Sequence, residues 1–385
     1  MHDPVQGKTL PHILNDLLTE RAFGRAERSA DTETAWIWNG RKALDGSSSP
    51  DPVANGEVSY GAFLRAKFPL SDEPKVAKHN KHMRKVLRQD FTAPGNPGEG
   101  LAAEHHELLH HLLLPQTAAS SEEAMQMAGL ADSPYCFVVP AFFKLLQHLQ
   151  TNAVRFNLIF RTFGDDLHRV AREFNCFCEG RHPCFPLVTP MDGSDGGIDR
   201  RIHLQTTPDG VEPPRFGTFV RAEDLTMLVM GTFKQPKIAD DEAFGYYAAQ
   251  SENLHIVREL PNIHAFLTGR WRDSQATLAL RDFYPFWFQN REAATAGKLL
   301  TLDPMCGANE VHAMFFDDNI LAHDAHIVDA RVAHDGSAVA FEHTRELHLM
   351  RVEPLEAIQS DMYFVNRFEA SLQRRRRQKQ QQDAN

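Results

Sequence analysis

Apolar residues recur at helical spacing in residues 11–28, and a short apolar run follows at residues 35–38. These two patterns predict an N-terminal helix and then a first buried strand. Helical spacing returns in residues 101–114 and 121–130, which are predicted to be helices. Ser, Pro, Gly and Asp cluster in residues 47–55, so the chain is predicted to break there before the helical segment begins.

Helix and strand patterns alternate after Pro134. Residues 142–149 predict an amphipathic helix, residues 155–160 a buried strand and residues 166–174 another helix. This order is typical of βαβ units, which form a parallel sheet with right-handed crossovers. Further strands are predicted at residues 202–206, 225–230, 277–280, 313–316 and 326–328, with further helices at 253–267 and 355–372.

The predicted fold is therefore α/β: a doubly wound parallel sheet with a helical cap and a β-containing insertion. A chain of 385 residues is too long for one ordinary domain, which favours a main domain with large additions. The predicted organisation is an N-terminal helix and first core strand in residues 1–46, a helical cap in 47–133, continued core in 134–181, an insertion in 182–250, completed core in 251–372, and a disordered basic and Gln-rich tail in 373–385.

The amino-acid composition limits the classes of binding partner that are expected. The 51 acidic residues outnumber the 41 basic ones, so the chain has no overall attraction for nucleic acid or an anionic membrane. The basic tail QRRRRQKQQQDAN is an exception, for which a solvated helix extension is the simplest interpretation. The N-terminus lacks the pattern of a signal peptide and the chain lacks a long apolar run, so a cytoplasmic protein with no membrane partner is expected. Five cysteines are expected to be reduced thiols.

Three segments carry candidate chemistry, and they follow one another along the chain. They are FNLIFRTFGDD at residues 156–166, AGKLL at 296–300 and HAMFFDDNI at 312–320. In type and order they resemble motifs of the haloacid dehalogenase (HAD) superfamily. The resemblance covers residues 34–39 and 135–335, and it implies a HAD-like, Rossmannoid core and a phosphatase-like hydrolase activity.

The resemblance implies roles for four residues. Thr162 ends a predicted strand where the family binds the transferred phosphoryl group, and its hydroxyl would offset part of the charge that develops there. Lys298 stands where the family places a cation. Asp317 and Asp318 follow an apolar strand, and paired carboxylates suit Mg²⁺. Alternatively, the two aspartates begin a loop and cap the next helix, with Asn319 assisting.

The first family motif is altered in this chain. Family members have an early strand followed by DxDxT, in which the first Asp attacks phosphorus and the second shuttles a proton. The apolar run 35–38 is followed here by Asn39 and Arg41. An amide cannot form an acyl-phosphate and an arginine stays protonated, so ordinary phosphotransfer is expected to be absent or severely reduced. Asp45 is the alternative nucleophile if the strand is longer or bulged.

The expected function is that of a catalytically degenerate HAD-like phosphatase relative, or of a binder of a phosphorylated small molecule, with a weakened Mg²⁺ site. Arg41, Lys298 and Thr162 would still suit phosphate oxygens. A non-catalytic interaction scaffold is the alternative.

Two other patterns suggest zinc. His106-Glu107-x-x-His110 is the HExxH pattern of zinc peptidases, but no convincing third ligand follows, so an amphipathic helix is favoured. The spacing of Cys176, Cys178, His182 and Cys184 is tighter than that of a zinc finger, so ordinary cysteines are favoured. Residues 282–288 form an aromatic stretch that favours packing over a base-stacking platform.

Overall fold

The structure is a computed structural model that describes residues 9–28, 34–42, 56–69, 71, 73–114, 122–185, 187, 189–205, 214–223, 225–236, 245–247, 249, 254–273, 277–303 and 311–383. The chain divides into two units, each described by itself below. The first unit takes in residues 1–113, 135–140 and 353–361, and the second takes in residues 114–134, 141–352 and 362–385.

The first unit opens with α1 (Leu10–Arg21), whose apolar face is buried as its spacing predicts. The predicted helix over residues 11–28 is wrong beyond Arg21, because the chain continues as β1 (Ala22–Arg28). Gly24 permits this change. A Cβ atom at Gly24 would lie 2.2 Å from the carbonyl oxygen of Ile37, so only glycine lets the neighbouring strand approach this closely.

That neighbouring strand is β2 (Thr34–Lys42), which pairs antiparallel with β1, and β1 also pairs antiparallel with β3 (Glu57–Ser59). The strand predicted at residues 35–38 is confirmed as a strand. It is not fully buried, since Trp36 is 5% exposed whereas Ile37 is 51% exposed. Its described partners place it in a three-stranded antiparallel sheet and not in a parallel core sheet.

Helices cover this small sheet and enclose an aromatic core. They are α2 (Tyr60–Lys67), α3 (Pro74–Gln89), α4 (Ala102–Leu112) and the later α11 (Pro354–Gln359). The ring centroids of Tyr60 and Phe91 lie 4.8 Å apart in a stacked arrangement, and Trp36 lies 5.0 Å from Tyr60. The buried Asn15 amide donates to the carbonyl of Gln89 at 2.8 Å and accepts from the Thr92 hydroxyl at 2.8 Å, which fixes the chain as it leaves α3.

The main sheet lies in the second unit and has the strand order β4-β8-β5-β6-β7. Its strands are β4 (Ile159–Thr162), β5 (Phe216–Arg221), β6 (Thr226–Met230), β7 (His255–Arg258) and β8 (Leu278–Asp282). Strand β8 pairs parallel with β4 and with β5, whereas β5, β6 and β7 pair antiparallel. The α/β class is confirmed, but the sheet is mixed, so a doubly wound parallel sheet is not shown.

The segment 182–250, predicted to be an insertion that decorates the sheet, contributes two strands to the sheet itself. Strand β5 is the central strand of the sheet, between β8 and β6. Most of β5 is buried, in keeping with a position between two other strands. The strand predicted at residues 202–206 is absent from the described residues 202–205.

Helices and two short parallel strand pairs complete the second unit. The helices are α5 (Glu122–Ala128), α6 (Pro140–Thr151), α7 (Leu167–Cys178), α8 (Leu260–Asp273), α9 (Tyr284–Gln289), α10 (Phe341–Thr344) and α12 (Tyr363–Asp383). The pairs are β9 (Lys298–Leu302) with β11 (Val328–Val332), and β10 (Phe315–Asp317) with β12 (Leu349–Arg351).

The basic C-terminal segment is helical. The disordered tail predicted for residues 373–385 is wrong as far as Asp383, because α12 runs on to that residue, as the solvated-extension interpretation expected. Arg, Gln and Lys have high helix propensity and no Gly or Pro interrupts them. Among the described residues, none of the helices combines the length and the apolar character needed to cross a membrane.

A half-buried pair of histidines beside α12, His312 and His348, predicts acid sensitivity. Burial, then the charges of His348 and Arg375, lower the pKa of His312 to about 3. Its Nε2 donates to Ser371 Oγ at 2.8 Å because that hydroxyl itself donates to the carbonyl of Leu347, which leaves Nδ1 to take up the proton. The pKa in the unfolded chain is about 6.5. Since the folded value lies below it, the unfolded chain binds the proton first and stability falls as pH drops below about 7.

His312→Gln is therefore expected to remove about 2 kcal/mol of the stability loss between pH 7 and pH 5, because Gln retains an N–H donor without titrating. The measurement is the free energy of unfolding of both proteins at the two pH values. His334→Gln is the matched control, since the side chain of His334 is 63% exposed. Equal pH dependence in the His312 variant and the native protein would contradict the assignment.

Candidate functional site

The first predicted site residue of the second unit, Thr162, lies where the carboxyl ends of β4 and β8 form one edge of the main sheet. The two strands are parallel neighbours, and Thr162 at the end of β4 is opposite Arg281 near the end of β8. The Thr162 hydroxyl oxygen accepts a hydrogen bond from the backbone N–H of Gly164 at 2.9 Å. This turn fixes the oxygen and leaves the hydroxyl proton available to donate to a ligand.

Lys298 and Asp317 form a buried ion pair. Lys298 begins β9 and Asp317 ends β10, and the distance from Lys298 Nζ to Asp317 Oδ2 is 2.8 Å. Each side chain is only 7% exposed. The other carboxylate oxygen of Asp317 accepts from the backbone N–H of Asn319 at 2.9 Å and from its side-chain amide at 3.2 Å. Both oxygens of Asp317 are therefore already engaged.

Asp318 differs electrostatically from its neighbour. Asp318 is exposed, although protein atoms surround its carboxyl group. Partial desolvation by these atoms, followed by the charge of Asp317, raises the pKa of Asp318 to about 6, and the ammonium of Lys298 partly opposes the rise. A carboxyl group with such a pKa is present in both protonation states near neutral pH, so it can donate or accept a proton.

The alternative that the two aspartates cap a following helix is not what the structure shows. Asn319 does assist, since its amide also contacts Asp318 Oδ1 at 3.1 Å. However, residues 318–327 contain no helix, and the chain passes through turns to β11. The paired acids therefore end a strand and begin a loop.

Phe163 connects the Thr162 turn to the ion pair. The Nζ atom of Lys298 lies 5.1 Å from the centroid of the Phe163 ring and 6.0 Å from that of Phe315. Both distances are within the range of cation–π contacts. Segments that are far apart in the chain thus meet here: the Thr162 turn, the start of β9 and the end of β10.

An arginine that the sequence analysis did not single out braces this region. Arg161 on β4 forms a two-point ion pair with Asp282 at the end of β8, in which Nε is 3.0 Å from Oδ2. Its remaining nitrogen donates to the carbonyl of Leu299 on β9 at 2.5 Å. Asp282 resembles Asp317 in that it is an acid at the end of a mainly apolar strand, but the aromatic stretch after it favoured packing in the sequence-based prediction.

Asn39 and Arg41 belong to the first unit. Both are inside β2, where Arg41 is opposite Phe23 of β1. The first-motif assignment requires them to follow a strand of the parallel sheet, and β2 is not among the strands described in that sheet. That assignment is therefore unsupported. Asp45, the alternative nucleophile, lies outside the described residues.

Magnesium is expected from the sequence at Asp317 and Asp318, and the donor set does not fit a ready-made site. The Lys298 ammonium and the Asn319 donors already take both oxygens of Asp317. A Mg²⁺ ion needs six oxygen ligands in octahedral geometry, part of which water supplies. In the part of the chain that the structure describes, no group of three or more His, Cys, Asp or Glu side chains is placed to hold a metal ion.

The HExxH pattern lies on a solvent-facing helix. Leu108 and Leu112 of α4 are buried, which turns His106, Glu107 and His110 towards solvent. The expected amphipathic helix is confirmed. A hydrolytic zinc site needs a third protein ligand in a cleft, and the described residues offer none here.

The residues of the predicted cysteine cluster are buried or have partners within the protein. Cys176 and Cys178 are buried on α7, and burial raises the pKa of Cys176 to about 11. His182 is buried with Glu173, 3.3 Å from its Nε2, and its Nδ1 accepts the backbone N–H of Cys184 at 3.1 Å. Since both ring nitrogens of His182 have protein partners, neither has a lone pair ready for zinc.

Comparison of the chain with models of protein families, with curated proteins and with solved structures gave no match. The HAD resemblance therefore depends on residues 156–166, 296–300 and 312–320 alone. A function for the second unit has to be inferred from the geometry of its own side chains.

Proposed function

We propose that the second unit binds a small phosphorylated compound at the edge formed by Thr162, Lys298, Asp317 and Asp318. The observation that carries the proposal is the approach of the Lys298 ammonium to the Thr162 turn, with Phe163 between them. Thr162 ends β4, and the Lys298 ammonium contacts Asp317 at the end of β10. A hydroxyl donor and an ammonium suit the oxygens of a phosphate group. The proposed site is HAD-like, with no aspartyl nucleophile identified among the described residues.

The buried ion pair between Lys298 and Asp317 is better evidence of a functional site than of a contribution to stability. Replacing a buried ion pair with packed apolar residues is often neutral or stabilising, because desolvation offsets the attraction between the charges. A buried Lys298–Asp317 pair beside a carboxyl group with a raised pKa is therefore a functional-site signal. Asp317 restrains the ammonium until an anion approaches.

Binding without ordinary turnover is the expected behaviour. Asp317 is held by three donors and Asp282 by Arg161, so neither presents a free carboxylate oxygen for attack on phosphorus. The raised pKa of Asp318 suits its carboxyl group to proton transfer rather than to attack on phosphorus. The proposed function is thus binding of a phosphorylated compound at a phosphatase-like site.

A separate open groove of about 530 Å³ lies elsewhere in the second unit, lined by His323, Phe341, Glu342, Arg345, Glu346 and Arg374. Its acids and bases balance, and Arg374 pairs with Glu346 at 3.3 Å. A groove with no excess of either charge offers no selection for phosphate. The interaction-scaffold alternative would use such a surface, but nothing in its chemistry specifies a partner, so the edge at Thr162 is preferred.

Thr162→Val tests the proposal. Isothermal titration calorimetry with 4-nitrophenyl phosphate is expected to show saturable binding by the native protein. The variant is expected to bind at least about tenfold more weakly than the native protein, since a hydrogen bond to a charged group contributes about 1.5–3 kcal/mol. Release of 4-nitrophenolate is expected to stay at the background rate.

Thr232→Val is the matched control for this measurement. The Thr232 hydroxyl oxygen accepts the backbone N–H of Lys234 at 3.0 Å, the same turn that Thr162 makes. Thr232 follows β6, and strands β8 and β5 separate β6 from β4, whose last residue is Thr162. Equal affinity in the Thr162 variant, or no binding by the native protein, would refute the proposal.

A further inference from the structure

A pair of exposed aromatic rings lies on α9, directly after the carboxyl end of β8. Tyr284 is 40% exposed and Phe288 is 61% exposed. Their ring centroids are 5.7 Å apart with an angle of 27° between the planes, so they stack with their neighbouring faces nearly parallel. Large aromatic side chains contribute most when they are buried, so an exposed stack at the edge of a sheet indicates a binding surface.

Trp287, about one helical turn after Tyr284, anchors these rings from the adjoining side of α9. Trp287 is buried and stacks on Phe163, with ring centroids 5.4 Å apart and planes 18° apart. The Trp287 indole N–H donates to the carbonyl of His326 at 3.1 Å. The exposed rings therefore belong to a helix that is fixed on its inner side, and a flat ligand would find them already ordered, which lowers the entropy cost of binding.

The aromatic pair adjoins the proposed phosphate site. Phe163 lies between the two, 5.6 Å from the Tyr284 ring and 5.1 Å from the ammonium of Lys298. His326 also contacts the Trp287 ring, and its Nδ1 atom lies 3.1 Å from the carbonyl oxygen of Asn319, in the turn that holds Asp317. One edge thus presents anion-binding groups and, next to them, an exposed π surface.

We infer that the phosphorylated ligand is a nucleotide, whose base stacks on Tyr284 and Phe288 while its phosphate meets Thr162 and Lys298. This inference rests on the proposed function, since it assigns the phosphate to the same residues. A nucleotide combines an anionic group with a flat heterocycle at the two ends of a sugar, which matches the neighbouring surfaces. Stacking tolerates any base, because every base has a π face.

Calorimetry with three ligands tests the inference: adenosine 5′-monophosphate, ribose 5-phosphate and adenosine. The native protein is expected to bind the nucleotide at least about tenfold more tightly than ribose 5-phosphate, since stacking of one base contributes about 1–3 kcal/mol. Phe288→Ala is expected to abolish that difference while affinity for ribose 5-phosphate stays unchanged. Phe288 is exposed, so the variant is expected to fold, and its thermal midpoint verifies this.

Tyr246→Ala is the matched control, because Tyr246 is 36% exposed and its described ring contact is with Tyr247. It is expected to leave all three affinities unchanged. Equal binding of nucleotide and ribose 5-phosphate by the native protein would overturn the inference while the proposed function stands. Binding of adenosine as tight as that of the nucleotide would overturn the phosphate assignment, and no binding of any ligand would overturn both proposals.

Discussion

Replacing Lys298 by Met is expected to lower the free energy of unfolding of the second unit by about 3–5 kcal/mol. The ammonium and the Asp317 carboxylate are each only 7% exposed and 2.8 Å apart, so removal of one charge leaves the other buried without its partner. Chemical denaturation followed by far-UV circular dichroism measures the change. The loss is one of the two largest that we expect from a single substitution in this protein.

A double-mutant cycle separates the ion pair from simple loss of packing. Asp317→Asn alone is expected to be destabilising because it leaves Lys298 buried and unpaired, whereas adding it to Lys298→Met is expected to cost little more than the single change. Arg374→Met is the matched control, because Arg374 and Glu346 form an exposed pair that contributes about 0–1 kcal/mol. Strictly additive losses in the cycle would contradict the coupling.

Phe91→Ala is the second large effect, and it acts on the first unit. Phe91 is fully buried and stacks on Tyr60, and Gly98 packs so closely that a Cβ atom there would lie 2.4 Å from the Phe91 ring. Removal of a buried phenyl ring leaves a cavity and costs about 3–5 kcal/mol. Denaturation followed by tryptophan fluorescence measures the loss, because Trp36 lies 6.2 Å from Phe91.

Val86→Ala provides the comparison in the same unit. Val86 is 42% exposed on α3, so its truncation creates no cavity and is expected to change stability by less than about 0.5 kcal/mol. If Phe91→Ala and Val86→Ala cost the same, the aromatic cluster would not be the core of the first unit.

Local sequence patterns correctly predicted the helices and strands whose formation does not depend on one particular neighbour in the fold. Helices α4, α6 and α7 and strand β8 lie close to where their spacing placed them, because an amphipathic stripe buries against any apolar surface. Strand β1 was missed because its residues, AFGRAER, have little strand character, and it forms through pairing with β2 and β3. Its structure depends on partners that no local pattern identifies.

The sequence did not predict which strands pair with one another in which sheet. Phe216 of β5 pairs with Ala279 of β8, and the Gly- and Pro-rich segment around β5 reads as an insertion because it carries no local sign of this distant pairing. The same limit applies to β2, whose apolar run predicts a strand but cannot say which sheet it joins. Asn39 and Arg41 entered the predicted site on that strand alone.

The candidate site was predictable where an apolar strand ends in a polar residue. Thr162 and Asp317 were found in this way, and the structure places both at strand ends. The brace between Arg161 and Asp282 was not predicted, because an arginine within a strand is more often exposed, and its burial here depends on a carboxylate 121 residues away.

The most direct test of the anion site is a crystal structure of the protein soaked with sodium tungstate, whose anion has the shape of phosphate and scatters strongly. We expect anomalous density within hydrogen-bonding distance of Thr162 Oγ1, on the side that faces Lys298. Density at other surfaces with none at this edge, in crystals that leave the edge open to solvent, would contradict the assignment of phosphate binding to these residues.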